Sequence, residues 1–178
     1  LEGKTDPHAL RTRAALLLKQ NRIPEAVRIM DGREPHKRWC DIAVSAYILD
    51  GQVDKAQAIV QWTLGLADRT HYFQCRVRQA EALMVRALAA HKTGTRILPH
   101  QITGEEGEGL LAVVAAIQPV LQPIVVAGVP SSELEVAALQ IAYQAHQLLR
   151  DRAGVAKCMD LLSKWTPVPT DVARGIVG

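Results

Sequence analysis

Apolar residues recur every three or four positions from Trp39 to Thr63, on both sides of Gly51, which is the spacing of a buried helix face. Gly51 can take the left-handed conformation that ends a helix, so the stretch predicts two antiparallel helices closed by a tight turn. Pro35 starts the first of them. Val53 to Ala67 forms the second, with Ala56, Val60, Thr63 and Ala67 on one face.

Upstream, Asp6 before Pro7 offers a side-chain oxygen to free amides and predicts a helix over residues 7 to 20 with Leu10, Ala14 and Leu17 buried. Asn21 ends it, Pro24 opens a short helix through Ala26, Val27 and Met30 to Asp31, and Gly32 stops that. Downstream, Asp68 caps a long helix from Arg69 to Lys92, striped by Phe73, Val77, Ala80, Met84, Ala87 and His91. Gly94 to Thr103 reads as a loop. Thr103 and Glu106 form a capping box for a sixth helix over about residues 104 to 121, whose middle is apolar on nearly every face. Pro119 and Pro123 predict a kink or stop near residues 118 to 122, and Ile124 to Pro130 a last turn and an exit. Ser132 with Glu135 caps a helix reaching Arg150, with Leu134, Ala138, Ile141, Ala145 and Leu148 on one stripe. Gly154 breaks the pattern before a final helix from Val155 to Trp165, and Pro167 and Pro169 open a loose tail.

With 178 residues, 48% of them apolar, the chain can bury a sizeable core; few aromatics and abundant alanine and leucine favour helix over sheet. The expectation is one helical domain over residues 1–166 and a tail over 167–178. A formal charge of +3 falls well short of a dense cationic face. Cys40, Cys75 and Cys158 lack any CxxC pairing, which favours reduced buried thiols over a disulfide framework or zinc site. No run is expected to reach the ~18 apolar residues of a membrane span, so a cytoplasmic setting, or a nuclear one in a eukaryote, is the default. The start at Leu-Glu-Gly-Lys suggests a piece of a larger protein.

The central hairpin resembles a tetratricopeptide repeat, a 34-residue helix-turn-helix unit. Counting from Lys37, Tyr47, Gly51 and Ala56 fall on that family's tyrosine, turn glycine and second-helix alanine. Cys40, Ala43, Val44, Val60, Thr63 and Asp68 depart from it, standing where the family prefers tryptophan, leucine, glycine, phenylalanine, alanine and proline. The resemblance covers residues 7–68, the first hairpin being a shorter copy through Leu17, Asn21 and Ala26. Beyond it the hairpin habit continues without the motif: Val85 stands at a turn-glycine place, and Ala156 would put Gln147 and Asp151 at the tyrosine and glycine places. The resemblance implies an all-α fold, antiparallel helical hairpins stacked as a TPR-like α-solenoid that is irregular in the C-terminal half, with first helices lining a concave groove. By the family's groove-facing offsets, Arg11, Arg38, Asp41, Ser45, Tyr72, Cys75 and Gln79 are candidate partner-binding residues.

Arg69, Arg76 and Arg78 flank Tyr72 and Phe73, and Arg11, Arg13, Lys37 and Arg38 are further cations for the same groove. They could clasp the carboxylates of an acidic peptide or RNA phosphates, with Tyr72 stacking on a base; alternatively the arginine stems cover the edges of the buried stripe. The six histidines make no HxH or HExxH arrangement, Glu105, Glu106 and Glu108 suit a helix N-terminus, and Gly104, Gly107 and Gly109 lack the lysine of a phosphate loop. Neither catalytic residue, metal nor cofactor is expected. The reading is a protein-protein interaction module for a peptide or partner helix; the alternative is nucleic-acid binding through the arginine-rich third hairpin.

Overall fold

A computed structural model describes residues 6–89 and 104–167. They form α1 (Pro7–Lys19), α2 (Ile23–Met30), α3 (Cys40–Leu49), α4 (Val53–Thr63), α5 (Thr70–Ala89), α6 (Gly104–Ala127), α7 (Glu133–Leu148) and α8 (Arg152–Ser163), with no strand among the described residues. The fold is all-α. The expected loop at residues 94–103, His91, His100, the Thr103 cap and the tail from residue 168 lie outside the described residues, as do the side chains of Glu105 and Glu106.

Three hairpins close in the same way. Leu17 O accepts from Arg22 N at 2.9 Å, Tyr47 O from Gln52 N at 2.8 Å and His146 O from Asp151 N at 2.9 Å, each across one left-handed residue: Asn21, Gly51 or Arg150. This six-residue closure satisfies carbonyls that the helix end leaves without partners. The third turn falls at Arg150, where the sequence has its helix end and one residue before the glycine place that a repeat register through Ala156 would require; Ala156 itself is exposed. Arg150 holds φ +57° without being glycine, a conformation that costs an L-residue roughly 1–2 kcal/mol. Arg150→Gly is therefore expected to raise stability by about 0.5–1 kcal/mol in urea titration, part of the relieved strain being offset by glycine's unfolded-state entropy.

The caps read from sequence form at Asp6, which accepts from His8 N at 3.3 Å, and at Asp68, which accepts from Thr70 N at 2.8 Å. Ser132 Oγ accepts from Glu135 N, while the Glu135 carboxylate reaches back to Ser131 rather than to Ser132 itself. Other boundaries move. α3 begins at Cys40, not Pro35, because the amides of Trp39 and Cys40 both donate to His36 O and wind residues 36–39 into a turn. α4 ends at Thr63, not Ala67, as Leu64, Gly65 and Leu66 tighten into bonds three residues back.

The largest departure is α6, which runs through Pro119 and Pro123 to Ala127 instead of stopping near residues 118 to 122. Each proline leaves one carbonyl unpaired, those of Ala115 and Pro119, but Ala115 and Pro123 are exposed and Pro119 half-buried, so water can serve them. On the opposite face Leu110, Val113, Ile117, Val120, Leu121 and Ile124 are buried, and that apolar area outweighs two lost hydrogen bonds. Residues 107–127, with a mean hydropathy of 2.1, are also long and apolar enough to cross a membrane, contrary to the expectation that no run would be. Within this fold 39% of the window's residues are buried in the protein.

Neighbouring helices pack throughout: α1 on α2, α2 on α3, α3 on α4, α4 on α5, α5 on α6, α6 on α7 and α7 on α8, while α3 also meets α1 and α5, and α5 meets α7. The buried residues fall into two cores that share α5. Tyr72, Cys75 and Ala82 belong to the core of α1–α4, and Val77, Ala80 and Met84 to that of α6–α8, with Phe73 and Leu83 touching both. The stripe read from sequence is thus one of two buried faces of α5. In the first core, Tyr47 links three elements. Its hydroxyl and Lys55 Nζ both meet Asp31 Oδ1, at 3.2 and 2.8 Å, and burial beside that carboxylate pushes the phenol up to about 12.

Candidate functional site

A concave surface lies across α1, α3 and α5, and it begins with a helix start. Because α3 opens only at Cys40, Lys37 and Arg38 sit exposed on the turn before it, and Asp41 occupies its first turn, where the helix dipole favours a carboxylate. Asp41 is buried. Its Oδ1 is ion-paired with Arg11 of α1 and its Oδ2 lies 3.5 Å from Arg78 Nε of α5, so one carboxylate joins three helices. Arg11 also donates to Arg38 O at 3.3 Å, and Arg78 donates to Glu81 at 3.1 Å.

Around this knot is a cavity of about 390 Å³, walled by Arg11, Lys37, Arg38, Asp41, Gln74, Arg78 and Glu81, with Val77 and, from α7, Leu134 and Ala137 also on its wall. Four cations face two carboxylates, both of them engaged by Arg11 or Arg78. Among the described residues neither Lys37 nor Arg38 has an ion-pair partner. Beyond Arg78 and Glu81, which line both, a second cavity of about 330 Å³ is lined by Ala15, Leu18, Ile42, Leu49, Ala82 and Val85, with Ser45 and Lys19 its other polar walls. The two chambers are cationic and apolar respectively.

Of the candidates read from sequence, Arg11, Arg38, Asp41 and Ser45 do line this groove. Asp41, however, is occupied as the link between Arg11 and Arg78. Tyr72, Cys75 and Gln79 do not line it; they are buried at the junction of α5 with α3 and α4. Arg69 and Arg76 lie over the Tyr72 ring at 6.0 and 5.4 Å, Arg76 donates to the Tyr72 hydroxyl at 3.1 Å and to Gln79 at 3.0 Å, and Gln79 donates to Gln57 of α4 at 3.2 Å. A ring only 7% exposed is not available to stack on a base. Cys75 is pushed well above the usual thiol range, first by its hydrogen bond with Cys40 and then by burial, so it remains a protonated core thiol.

The misplacement on α5 has one cause. Adding the family period of 34 to Arg38, Asp41 and Ser45 lands on Tyr72, Cys75 and Gln79, whereas the groove face of α5 is Gln74, Arg78, Glu81 and Val85. That face lies one residue earlier, about 100° round the helix. The signal was present in the four-three-four spacing of those residues, which marks a second continuous face.

No known family, curated protein or solved structure matches the chain. Among the described residues no three of His, Cys, Asp or Glu converge as metal ligands would. The arrangement offers instead unneutralised cations beside an apolar hollow, which is chemistry for holding a ligand.

Proposed function

We propose that the chain is a protein-interaction module, a TPR-like stack of helical hairpins whose groove across α1, α3 and α5 holds an extended segment of a partner protein. The observation that carries this is the pair of adjoining chambers, walled by one face each of α1, α3 and α5 and meeting at Arg78 and Glu81. Volumes of about 330 and 390 Å³ lie at the small end of ligand sites, large enough for side chains in sequence and too small for a folded domain. The repeated hairpin closure and the contacts of α3 with α1 and α5, and of α5 with α7, support the stacked reading, since a solenoid joins each hairpin to its neighbour.

Ser45 is half-buried on the groove wall, so Ser45→Trp fills the second chamber without entering the core. A displayed random-peptide library selected on the wild-type chain is expected to yield peptides whose binding falls at least about tenfold on Ser45→Trp, the loss of one well-packed contact. Circular dichroism and melting should stay unchanged. Selected peptides that bind both proteins equally would overturn the reading.

A further inference from the structure

The same groove also specifies the character of its occupant. Resting on the peptide-binding reading above, we infer that the occupant is an acidic segment that carries a large aliphatic side chain beside its carboxylates, the carboxylates seated against Lys37 and Arg38 and the aliphatic group in the chamber behind Arg78.

Three observations lead there. First, the carboxylates within the groove are spoken for: Asp41 lies between Arg11 and Arg78, and Glu81 takes a second bond from Arg78. Lys37 and Arg38 are exposed at the rim, without ion-pair partners among the described residues, so the charge left unneutralised is positive and sits where a ligand would enter. An incoming carboxylate gains charge-assisted hydrogen bonds there at little desolvation cost to the rim. Second, the adjoining chamber presents Leu18, Ile42, Leu49, Ala82 and Val85, an aliphatic lining that rewards burial of Leu, Ile or Met. Third, neither chamber is lined by an aromatic ring, and Asp41 and Glu81 face the cationic one. A nucleic-acid strand needs stacking platforms and a groove free of carboxylates along its backbone, so an acidic aliphatic peptide suits these walls better.

The groove therefore requires both features together. Arg78 and Glu81 form the partition between the chambers, so a peptide must pass over them to fill both. A single acidic residue or a single leucine uses half of the surface.

The experiment is a fluorescence-anisotropy comparison of synthetic peptides on the full chain: an Asp/Glu-rich peptide with a central leucine, the same peptide with Asn/Gln for the acids, the same with Ser for leucine, a Lys-rich analogue, and a labelled single-stranded RNA. The first is expected to bind tightest, with each single change weakening it about tenfold, the scale of a charge-assisted contact or a buried aliphatic group. Lys37→Ala/Arg38→Ala should weaken the acidic peptide about tenfold, leave the amide peptide unaffected, and flatten the salt dependence. Both residues are exposed, so an unchanged melting curve verifies the fold of the double variant. If library-selected peptides occupy the groove but lack acids, or the double variant binds the acidic peptide normally, this inference fails while peptide binding stands. If RNA outcompetes every peptide, or selection yields no peptide sensitive to Ser45→Trp, both fail.

Discussion

Asp41→Ala is expected to lower stability by about 2–3 kcal/mol in urea denaturation, although the substituted residue sits in the first turn of a helix where alanine is well tolerated. The carboxylate is 8% exposed, and its two oxygens face guanidinium groups from different helices, Arg11 on α1 and Arg78 on α5. Removing it leaves two cations confronting each other in a half-buried space. A fully buried pair broken from one side loses about 3–5 kcal/mol, and the partial exposure of both arginines, 33% and 40%, places this site below that range. Arg11→Ala should be milder, about 1 kcal/mol, because Arg78 still serves Asp41. The Asp41→Ala/Arg11→Ala double variant should then lose less than the sum, since it also removes the repulsion. An Asp41→Ala protein within about 0.5 kcal/mol of the parent, the ordinary surface range, would show that this carboxylate does not hold α1 and α5 to α3.

Gly154→Ala presents a conflict between local and tertiary physics. Gly154 lies in the first turns of α8, where alanine is favoured over glycine by about 1 kcal/mol on propensity alone. A Cβ at that position would fall well inside van der Waals contact of His146 Nδ1 and Cγ and 2.7 Å from Asp151 Oδ2. The imidazole belongs to α7, is 15% exposed, and has Asp151 Oδ2 3.0 Å from its Nδ1, so its ring lies against the backbone of α8 at Gly154. The clash outweighs the propensity, and Gly154→Ala is expected to lose about 1–3 kcal/mol, the usual range for overpacking. The diagnostic is a reversal of sign. In a His146→Ala background the same substitution should stabilise by about 0.5 kcal/mol, because the ring is gone, the exposed Asp151 carboxylate released from it can turn aside, and the helix preference for alanine remains. A stabilising effect in the parent protein would mean that the α7–α8 approach is looser than the packing requires.

These two residues also show where a linear reading stops. Gly154 was read as a helix break, yet it lies within α8, and its lack of a side chain answers the ring of His146 rather than a turn. Asp41 was read as a ligand contact, because the repeat offset places it on a groove-facing position. It does line the groove, but its charge is consumed by arginines 30 residues before it and 37 after it, pairings that no local pattern announces. On α5 the polar or mixed residues Tyr72, Cys75 and Gln79 were assigned to the surface by a fixed period, and the packing of α3 and α4 buries them. Burial there is tolerated since Gln79 finds Arg76 and Gln57, and Tyr72 finds Arg76.

By itself the sequence determined the helical class, the hairpin turns at Asn21 and Gly51, the caps at Asp6, Asp68 and Ser132, and the stripe of α1, because each of these depends on residues within a turn or two of one another. Only the tertiary structure decided that α6 would continue through Pro119 and Pro123, that α5 would be buried on two faces, and that its groove residues would be Gln74, Arg78, Glu81 and Val85. In each case the outcome turns on which neighbour covers a helix face. That is set by the free energy of burying area between elements far apart in the chain, and it exceeds the local preferences a linear pattern records.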